Sequence, residues 1–446
     1  MTKLSFSWLA SAYTFVIASV FANVALAEQE IDLLAAYNLA RESAPQLSQA
    51  KYKVDIADAR YDAARGKIFP SASIFGQWSD NRVDFDLGPA SRVEDYPGRR
   101  YGVQLSQPLL NIAAGQEARR FDQLHQQTQQ ELSVAEADLL RNLVQAFLGV
   151  LLADSQQTQI EDELSALESQ LESAQALYKN NLIPVMEVLE TQTRVDTLRA
   201  DAIRAKGEAA VARESLIALT GERGYEPLSV RENFSLMSRF ASPEDVASLA
   251  IMQSPRVGAA EAAAEAARLA VQRERGSWVP VVDLSYSYQY SDVGFDNLAS
   301  PPRNTSTLAV GFNYPLFEGG AGAARLRGAW AEYYSAQSLL EAEKRDLELR
   351  ARSSWLNLQA SSERLLATRQ AVKSAEVNVD AMQKATKAGT ARPTDVLLAL
   401  AQKTRARRDA DEAKFQFAAG WLEVELVAGG DPIALAQSLA RALHGT

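Results

Sequence analysis

The sequence repeats itself at a nearly constant interval. The matching positions are Pro45 and Pro255, Gly66 and Gly276, Pro70 and Pro280, Pro108 and Pro315, and Gly221 and Gly429, at offsets of 210, 210, 210, 207 and 208 residues. An offset that drifts by only three residues indicates a tandem duplication. The chain therefore has to fold as two versions of one structural unit.

Each half begins with a short helix. Proline-free stretches rich in Ala, Arg and Glu predict these helices over 46–69 and 256–279. Because proline cannot continue a helix and disfavours helical backbone in the residue before it, Pro70 and Pro280 are expected to end them.

Two strands are predicted after each short helix. The clearest alternation runs over 282–290, where Val282, Leu284, Tyr286, Tyr288 and Tyr290 share one face. Similar patterns over 72–78, 101–106 and 308–314 bring the total to four predicted strands of about ten residues, the length of a strand in an outer-membrane barrel. The polar stretches 79–100 and 291–304, which contain Asp80, Asp84, Asp86, Asp95 and Asp292, are expected to be loops. An ordinary half-buried sheet of a soluble domain is the alternative for each strand taken alone.

The remainder of each half is too long and regular for a compact domain. No proline occurs between Pro108 and Pro184, and some 65 helical residues would extend about 100 Å. Apolar residues recur there at alternating spacings of three and four, as in a coiled coil. The positions are Leu139, Leu143, Ala146, Val150, Ala153, Ile160, Leu164, Leu167, Leu171, Ala174 and Tyr178, with Gln157 as the polar member. Breaks at 180–184 and 388–393 predict two antiparallel helical hairpins.

The first 27 residues have the layout of a signal peptide. One charge, Lys3, precedes an apolar stretch that ends in Ala25-Leu26-Ala27, so cleavage is expected before Glu28. The segment from 28 onward has no apolar run of about 18 residues, so entry into a membrane would have to use strands. Four strands cannot close a barrel, and open edges are not tolerated in lipid. The chain is therefore expected to form one barrel together with other copies of itself. A trimer would supply twelve strands and a dimer eight.

Composition argues against several functional classes. Without Lys3 the chain has 45 Lys and Arg against 56 Asp and Glu, a net charge of −11 that disfavours nucleic acid as a partner. The absence of cysteine excludes thiolate metal sites and disulfides. We expect no cofactor, no metal site and no enzymatic activity, and we expect His125 and His444 on solvated surfaces. The run 319–322 lacks the ending of a phosphate loop and is expected to form the turn from sheet to helix.

The sequence resembles the TolC family of outer-membrane efflux proteins over essentially all of residues 28–446. The resemblance is carried by the duplication, by Pro-Leu-Phe-Glu-Gly-Gly at 315–320, and by the hairpin tips at 181–188 and 388–397. It implies a homotrimer, with long antiparallel coiled-coil helices forming a periplasmic α-barrel and four strands per subunit contributing to a twelve-stranded β-barrel. The implied location is the outer membrane of a Gram-negative bacterium, with extension into the periplasm.

The resemblance also implies a domain plan and partners. The expected divisions are a signal peptide at 1–27, a first repeat at 28–221, an equatorial linker at 222–245, a second repeat at 246–429 and a tail at 430–446. The expected partners are outer-membrane lipid, a periplasmic adaptor protein and an inner-membrane pump of the ABC, RND or MFS type.

The tips are the candidate functional site. The implied periplasmic entrance and adaptor contacts are Asn181, Leu182, Glu187, Glu190, Gly389, Thr390, Arg392 and Asp395. We hypothesise that Glu187, Glu190 and Asp395 form an acidic ring, held shut by Arg392 or Arg194. Relatives nearest to TolC place a second aspartate where this chain has Leu398. The alternative is that these acids only favour helix starts through the helix dipole.

The sequence therefore predicts the exit duct of a tripartite efflux or type I secretion system. The tip sequence is closer to secretion members, although efflux of small molecules remains the competing cargo class. A non-conducting coiled-coil structural or adhesion protein of the cell envelope is the alternative function.

Overall fold

The structure is a computed structural model that describes residues 29–85, 88, 92–231, 234–294 and 298–445. The expected signal peptide at 1–27 and Asp86 lie outside the described residues. The elements in chain order are β1 (Gln29–Ile31), α1 (Leu33–Ser43), α2 (Pro45–Gly66), β2 (Ser71–Phe85), β3 (Arg92–Leu110), α3 (Ile112–Lys179), α4 (Val185–Thr220), β4 (Tyr225–Pro227), α5 (Pro243–Gln253), α6 (Pro255–Gly276), β5 (Val281–Val293), β6 (Ala299–Asn313), α7 (Ala321–Lys387), α8 (Pro393–Val427) and α9 (Pro432–His444).

The mainly helical fold and its duplication are confirmed. The series α2, β2, β3, α3, α4 recurs as α6, β5, β6, α7, α8 with closely similar lengths. Two short helices, α1 and α5, precede these series, and β1 pairs in parallel with β4. The sequence patterns had not identified these additional elements.

The prolines do not end the short helices as expected. Both α2 and α6 carry a proline in the first turn, where no backbone donor is needed, and end at Gly66 and Gly276. A turn of three residues separates each helix end from Pro70 or Pro280. Each proline thus begins the extended approach to a strand.

The four main strands form one antiparallel sheet in the order β2-β3-β5-β6. The expected loops at 79–100 and 291–304 were wrong over most of their length. Residues 79–85 pair with 92–98, and β6 begins at Ala299. Polarity is a poor loop signal here because a strand that extends into water can be polar on both faces while its backbone remains paired.

The sheet has one apolar and one polar face over most of its height. Because paired residues lie on the same side, the registers place the aromatic and aliphatic positions together. The apolar face contains Ile74, Tyr101, Val103, Leu105, Tyr286, Tyr288, Tyr290, Leu308, Val310 and Phe312. Tyr101 stacks on Tyr290 with ring centroids 4.8 Å apart. On the same face the Arg99 side chain lies 3.0 Å from the Asp292 carboxylate, one pair beyond this stack.

The helical hairpins have the predicted length and seam. Helix α3 has 68 residues, which corresponds to about 100 Å. The seam residues Leu139, Leu143, Val150, Ile160 and Leu167 are buried. Helix α3 packs against α2 and α6 in the half near the sheet and against α4 in the other half, and α7 packs against α6 and then α8.

The main hydrophobic core lies at the middle of the helices. There α1, α5 and α9 cover α3, α7 and the end of α8. The segment between β4 and α5 has no regular secondary structure and contacts α8 through two side-chain interactions. Trp421 Nε1 donates to the Met237 carbonyl at 3.1 Å, and Arg239 pairs with Glu425 at 2.9 Å. These residues belong to the segment 222–245, which the family resemblance predicts to be an equatorial linker.

His444 is buried, contrary to expectation. Its ring packs edge-on against Phe147, and Nδ1 lies 3.2 Å from the Ser229 carbonyl oxygen. The reason is the spacing of Leu435, Leu439 and Leu443, which turns one face of α9 into the core and carries the next residue with it.

Within the described ranges, every helix falls short of the combination of length and apolar content that crossing a membrane requires.

Candidate functional site

The first hairpin tip turns through a left-handed residue. Helix α3 ends at Lys179, and Asn181 has a φ of 59°. The Leu182 N–H donates to the Leu177 carbonyl at 3.0 Å, which closes the end of α3. Pro184 then precedes α4, which begins at Val185.

The second tip uses the same geometry 208 residues later. Gly389 has a φ of 74° at the position equivalent to Asn181. The Thr390 N–H donates to the Ala385 carbonyl at 2.9 Å, and its hydroxyl donates to the same oxygen at 3.0 Å. The shared turn explains why asparagine and glycine, the residues that best tolerate this conformation, occupy the two tips.

Asp395 is engaged within its own chain. Its carboxylate accepts a hydrogen bond from the Arg392 N–H at 3.0 Å and lies 3.4 Å from the Arg392 guanidinium. The backbone donor and then the guanidinium hold the pKa of Asp395 below its usual range. This carboxylate is therefore ionised at neutral pH and caps the start of α8.

The two glutamates of the first tip have different surroundings. Glu187 lies partly buried in the first turn of α4, where a negative charge favours the helix start. Glu190 is exposed and lines a groove of about 550 Å³ together with Arg194, Arg405 and Arg408. The structure thus brings Glu190 beside Arg194, whereas Arg392 is paired with Asp395.

A small apolar cluster holds the two hairpins together at this end. Leu167 of α3, Val195 of α4 and Leu397 of α8 are buried against one another. Since Leu397 lies two residues after Asp395 and Val195 follows Arg194 directly, the cluster fixes both tips at one end of the molecule.

Sequence reasoning missed several charged residues close to the tips. Glu376 pairs with Arg407 at 2.6 Å and with Lys403 at 3.8 Å, across α7 and α8. The Arg407 hydrogen bond is the main reason that the pKa of Glu376 lies below its usual value. The run 404–408, with three arginines in five residues, was the available signal.

The described residues contain no group of three or more His, Asp or Glu side chains placed to hold a metal ion.

The protein-family comparison decides the assignment. The protein-family model described as outer membrane efflux protein matches residues 36–222 and 246–430 of this sequence. The chain belongs to this family. The two matched segments correspond to the two series of elements seen in the fold.

Individual relatives agree along most of their length. The chain is 24% identical to the outer membrane protein TolC of Vibrio cholerae, with 88% of this chain and 89% of that protein covered. It is 25% identical to the alkaline protease secretion protein AprF of Pseudomonas aeruginosa, with 90% and 84% covered. The resemblance to the TolC family is thereby confirmed.

A solved structure shows the same fold. The outer membrane protein VceC of Vibrio cholerae superposes with a TM-score of 0.76 at 18% identity, covering 89% of this chain and 96% of that chain.

Family membership establishes the class of function and the location. The protein is an outer-membrane exit duct of the efflux and secretion type, and its family is one of channels.

Proposed function

We propose that this duct works as a homotrimer that receives its cargo from an inner-membrane pump through a periplasmic adaptor. The observation that carries this proposal is the four-stranded sheet, apolar on one face and polar on the other, attached to helices about 100 Å long. In the described part of the sheet, β2 and β6 each pair on one side only. Copies of the chain would satisfy these edges, and three copies supply the twelve strands that the family resemblance implies.

The entrance is proposed to lie at the hairpin tips. Asn181, Leu182, Gly389 and Thr390 are exposed there and are proposed to contact the adaptor. Glu187, Glu190 and Asp395 are proposed to line the opening, where ionised carboxylates disfavour the passage of anions. Arg392 is engaged by Asp395 of its own chain, which makes Arg194, beside Glu190, the better candidate for a contact that closes the opening.

For the cargo, we rank protein secretion ahead of small-molecule efflux. The tip sequence favours it, and two relatives have names that describe protease secretion, namely AprF and the proteases secretion protein PrtF of Dickeya chrysanthemi. An energy source within the duct is not required, because the pump supplies direction.

The test is single-channel recording of the purified protein in a planar bilayer, combined with its mass in detergent. A trimer that gives stable, cation-preferring pores is expected. The variant Glu187→Gln/Glu190→Gln/Asp395→Asn should lose most of the cation preference. Asp380→Asn is the matched control, because this exposed α7 carboxylate is already paired with Lys384 at 2.6 Å.

Two outcomes would count against the proposal. A monomer or rod without conductance would support the alternative function, that of a non-conducting coiled-coil structural or adhesion protein. Pores whose cation preference survives the triple substitution would show that the tip acids serve only to start helices.

A further inference from the structure

Two arginines lie in one row on the polar face of the sheet, close to the ends of β5 and β6 that are remote from the helices. Strands β2 and β3 continue eight residues beyond this row. Gln77 pairs with Arg100, Arg100 with Ser291, and Ser291 with Arg303, so the four side chains share a side. Neighbouring strands are separated by about 4.8 Å, which places the two arginine backbones about 10 Å apart. Ser291 between them has a small side chain that is 2% exposed.

The polar face below this row is nearly free of charge. From the helix end upward most of its side chains are small or amide groups, with Phe75 as an aromatic exception: Ser71, Ser73, Gln104, Ser106, Ser285, Ser287, Gln289, Thr305 and Thr307. Within the described strands its carboxylates are Glu94 and Asp283. Glu94 is paired with Arg92, and Asp283 lies eight residues along β5 from Ser291, a distance of about 26 Å.

Among the described residues, neither arginine forms an ion pair with a carboxylate. Arg100 donates to the Gly294 carbonyl at 3.2 Å, and its Nε is buried without a hydrogen-bond partner. Arg303 is exposed, and no carboxylate among the described residues forms an ion pair with it. On the opposite face, by contrast, Arg99 and Arg82 are paired with Asp292 and Asp95. Among the arginines of the described strands, those without an ion pair therefore lie on the polar face.

We infer that Arg100 and Arg303 form a basic ring inside the exit of the duct, which attracts anions and carboxylate groups of the cargo. This inference rests on the proposed function, in which the polar face lines a water-filled lumen. A charge in a narrow aqueous passage with low-dielectric walls acts on passing ions more strongly than one on an open surface. The exit would then have the opposite sign to the acidic entrance. Anionic cargo would be drawn forward after it passes the tips.

The test is the reversal potential of single channels in a KCl gradient, measured for Arg303→Gln, Arg100→Gln and the double variant. At an approach of about 5 Å in water, each removed charge should lower chloride permeability relative to potassium by about twofold to fourfold at low salt. The effect should shrink at high salt because the charges are screened. Arg82→Gln, which removes an exposed charge from the other face, is the matched control and should leave the ratio unchanged.

A second measurement addresses the anionic groups themselves. Citrate added to the chamber that faces the sheet end of the channel should reduce the potassium chloride current through the original protein. The same addition should reduce the current through the double variant much less. Arg303→Gln keeps the inference falsifiable if Arg100→Gln fails to assemble, since Arg303 is exposed and forms no ion pair with the described residues. Pores whose permeability ratio and citrate response are the same in Arg303→Gln and in the original protein would overturn the inference. An original protein without pores would instead refute the proposed function.

Discussion

Leu167 offers a direct test of how the two hairpins are held together near the tips. It is 3% exposed and packs with Val195 and Leu397, so that three helices meet at one side chain. Leu164, Leu171 and Leu198 surround this contact and are partly buried. Replacing Leu167 with alanine removes the central side chain without introducing polarity or charge.

The expected cost follows from the small size of the cluster. Replacing a buried leucine with alanine lowers the free energy of unfolding by about 2–5 kcal/mol, depending on how far the surrounding side chains move into the space. The partly exposed neighbours can move inward, so the lower end, about 2–3 kcal/mol, applies. Leu167 lies twelve residues before the end of α3, about 18 Å from the tip. The loss should therefore loosen the far ends of both hairpins and leave the middle of the molecule intact.

Hydrogen exchange of the purified channel measures this loss locally. Amides of 160–200 and 393–404 should exchange about 30-fold to 150-fold faster in Leu167→Ala, the factor that corresponds to 2–3 kcal/mol of local opening. Amides around Leu143, which is fully buried in the main core, should be unaffected.

Leu182→Ala is the matched control, because it makes the same substitution at a side chain that is 68% exposed. If exchange in these segments were equal for Leu167→Ala and the original protein, the cluster would not be what joins the hairpins.

Two further predictions concern the main hydrophobic core at the middle of the helices. Burial is the main reason that the pKa of His444 is lowered from 6.5, so the unfolded chain gains a proton below about pH 6.5 before the folded one does, and stability falls as pH decreases through this range. Melting followed by circular dichroism should show a fall between pH 7.5 and 5.5 that is smaller in His444→Phe; an equal fall in both proteins would assign it to other groups. Arg239→Met should leave the Glu425 carboxylate, 6% exposed, without its ion-pair partner and should cost about 1–3 kcal/mol in denaturant unfolding. Addition of Glu425→Gln should recover part of that loss, and failure to recover any would show that the Arg239 stem matters more than its charge.

The sequence was most informative where one physical constraint acts over many residues. The duplication, the coiled-coil seam and the alternation over 282–290 each repeat a simple period, and the structure contains all three. The glycines at 319 and 320 also behaved as expected: both have positive φ, and α7 begins at Ala321. In each case the local backbone geometry decides the outcome, so neighbouring residues suffice to predict it.

The errors came from features that depend on distant pairing. Residues 79–85 looked like a loop because they are polar, yet they continue as a strand because 92–98 lie opposite them. His444 is an exception, because the leucine spacing of α9 is a local pattern that could have predicted its burial.

The amino-acid pattern alone predicts a duplicated unit of paired strands and long helical hairpins, because hydrophobic periodicity is a local property. The three-dimensional structure was needed to show that Leu397 meets Leu167 and Val195 and that Arg100 and Arg303 share a row. These arrangements follow from strand register and helix packing between residues far apart in the chain. One residue of shift along a strand would reverse every face, and single-chain patterns leave that shift unspecified.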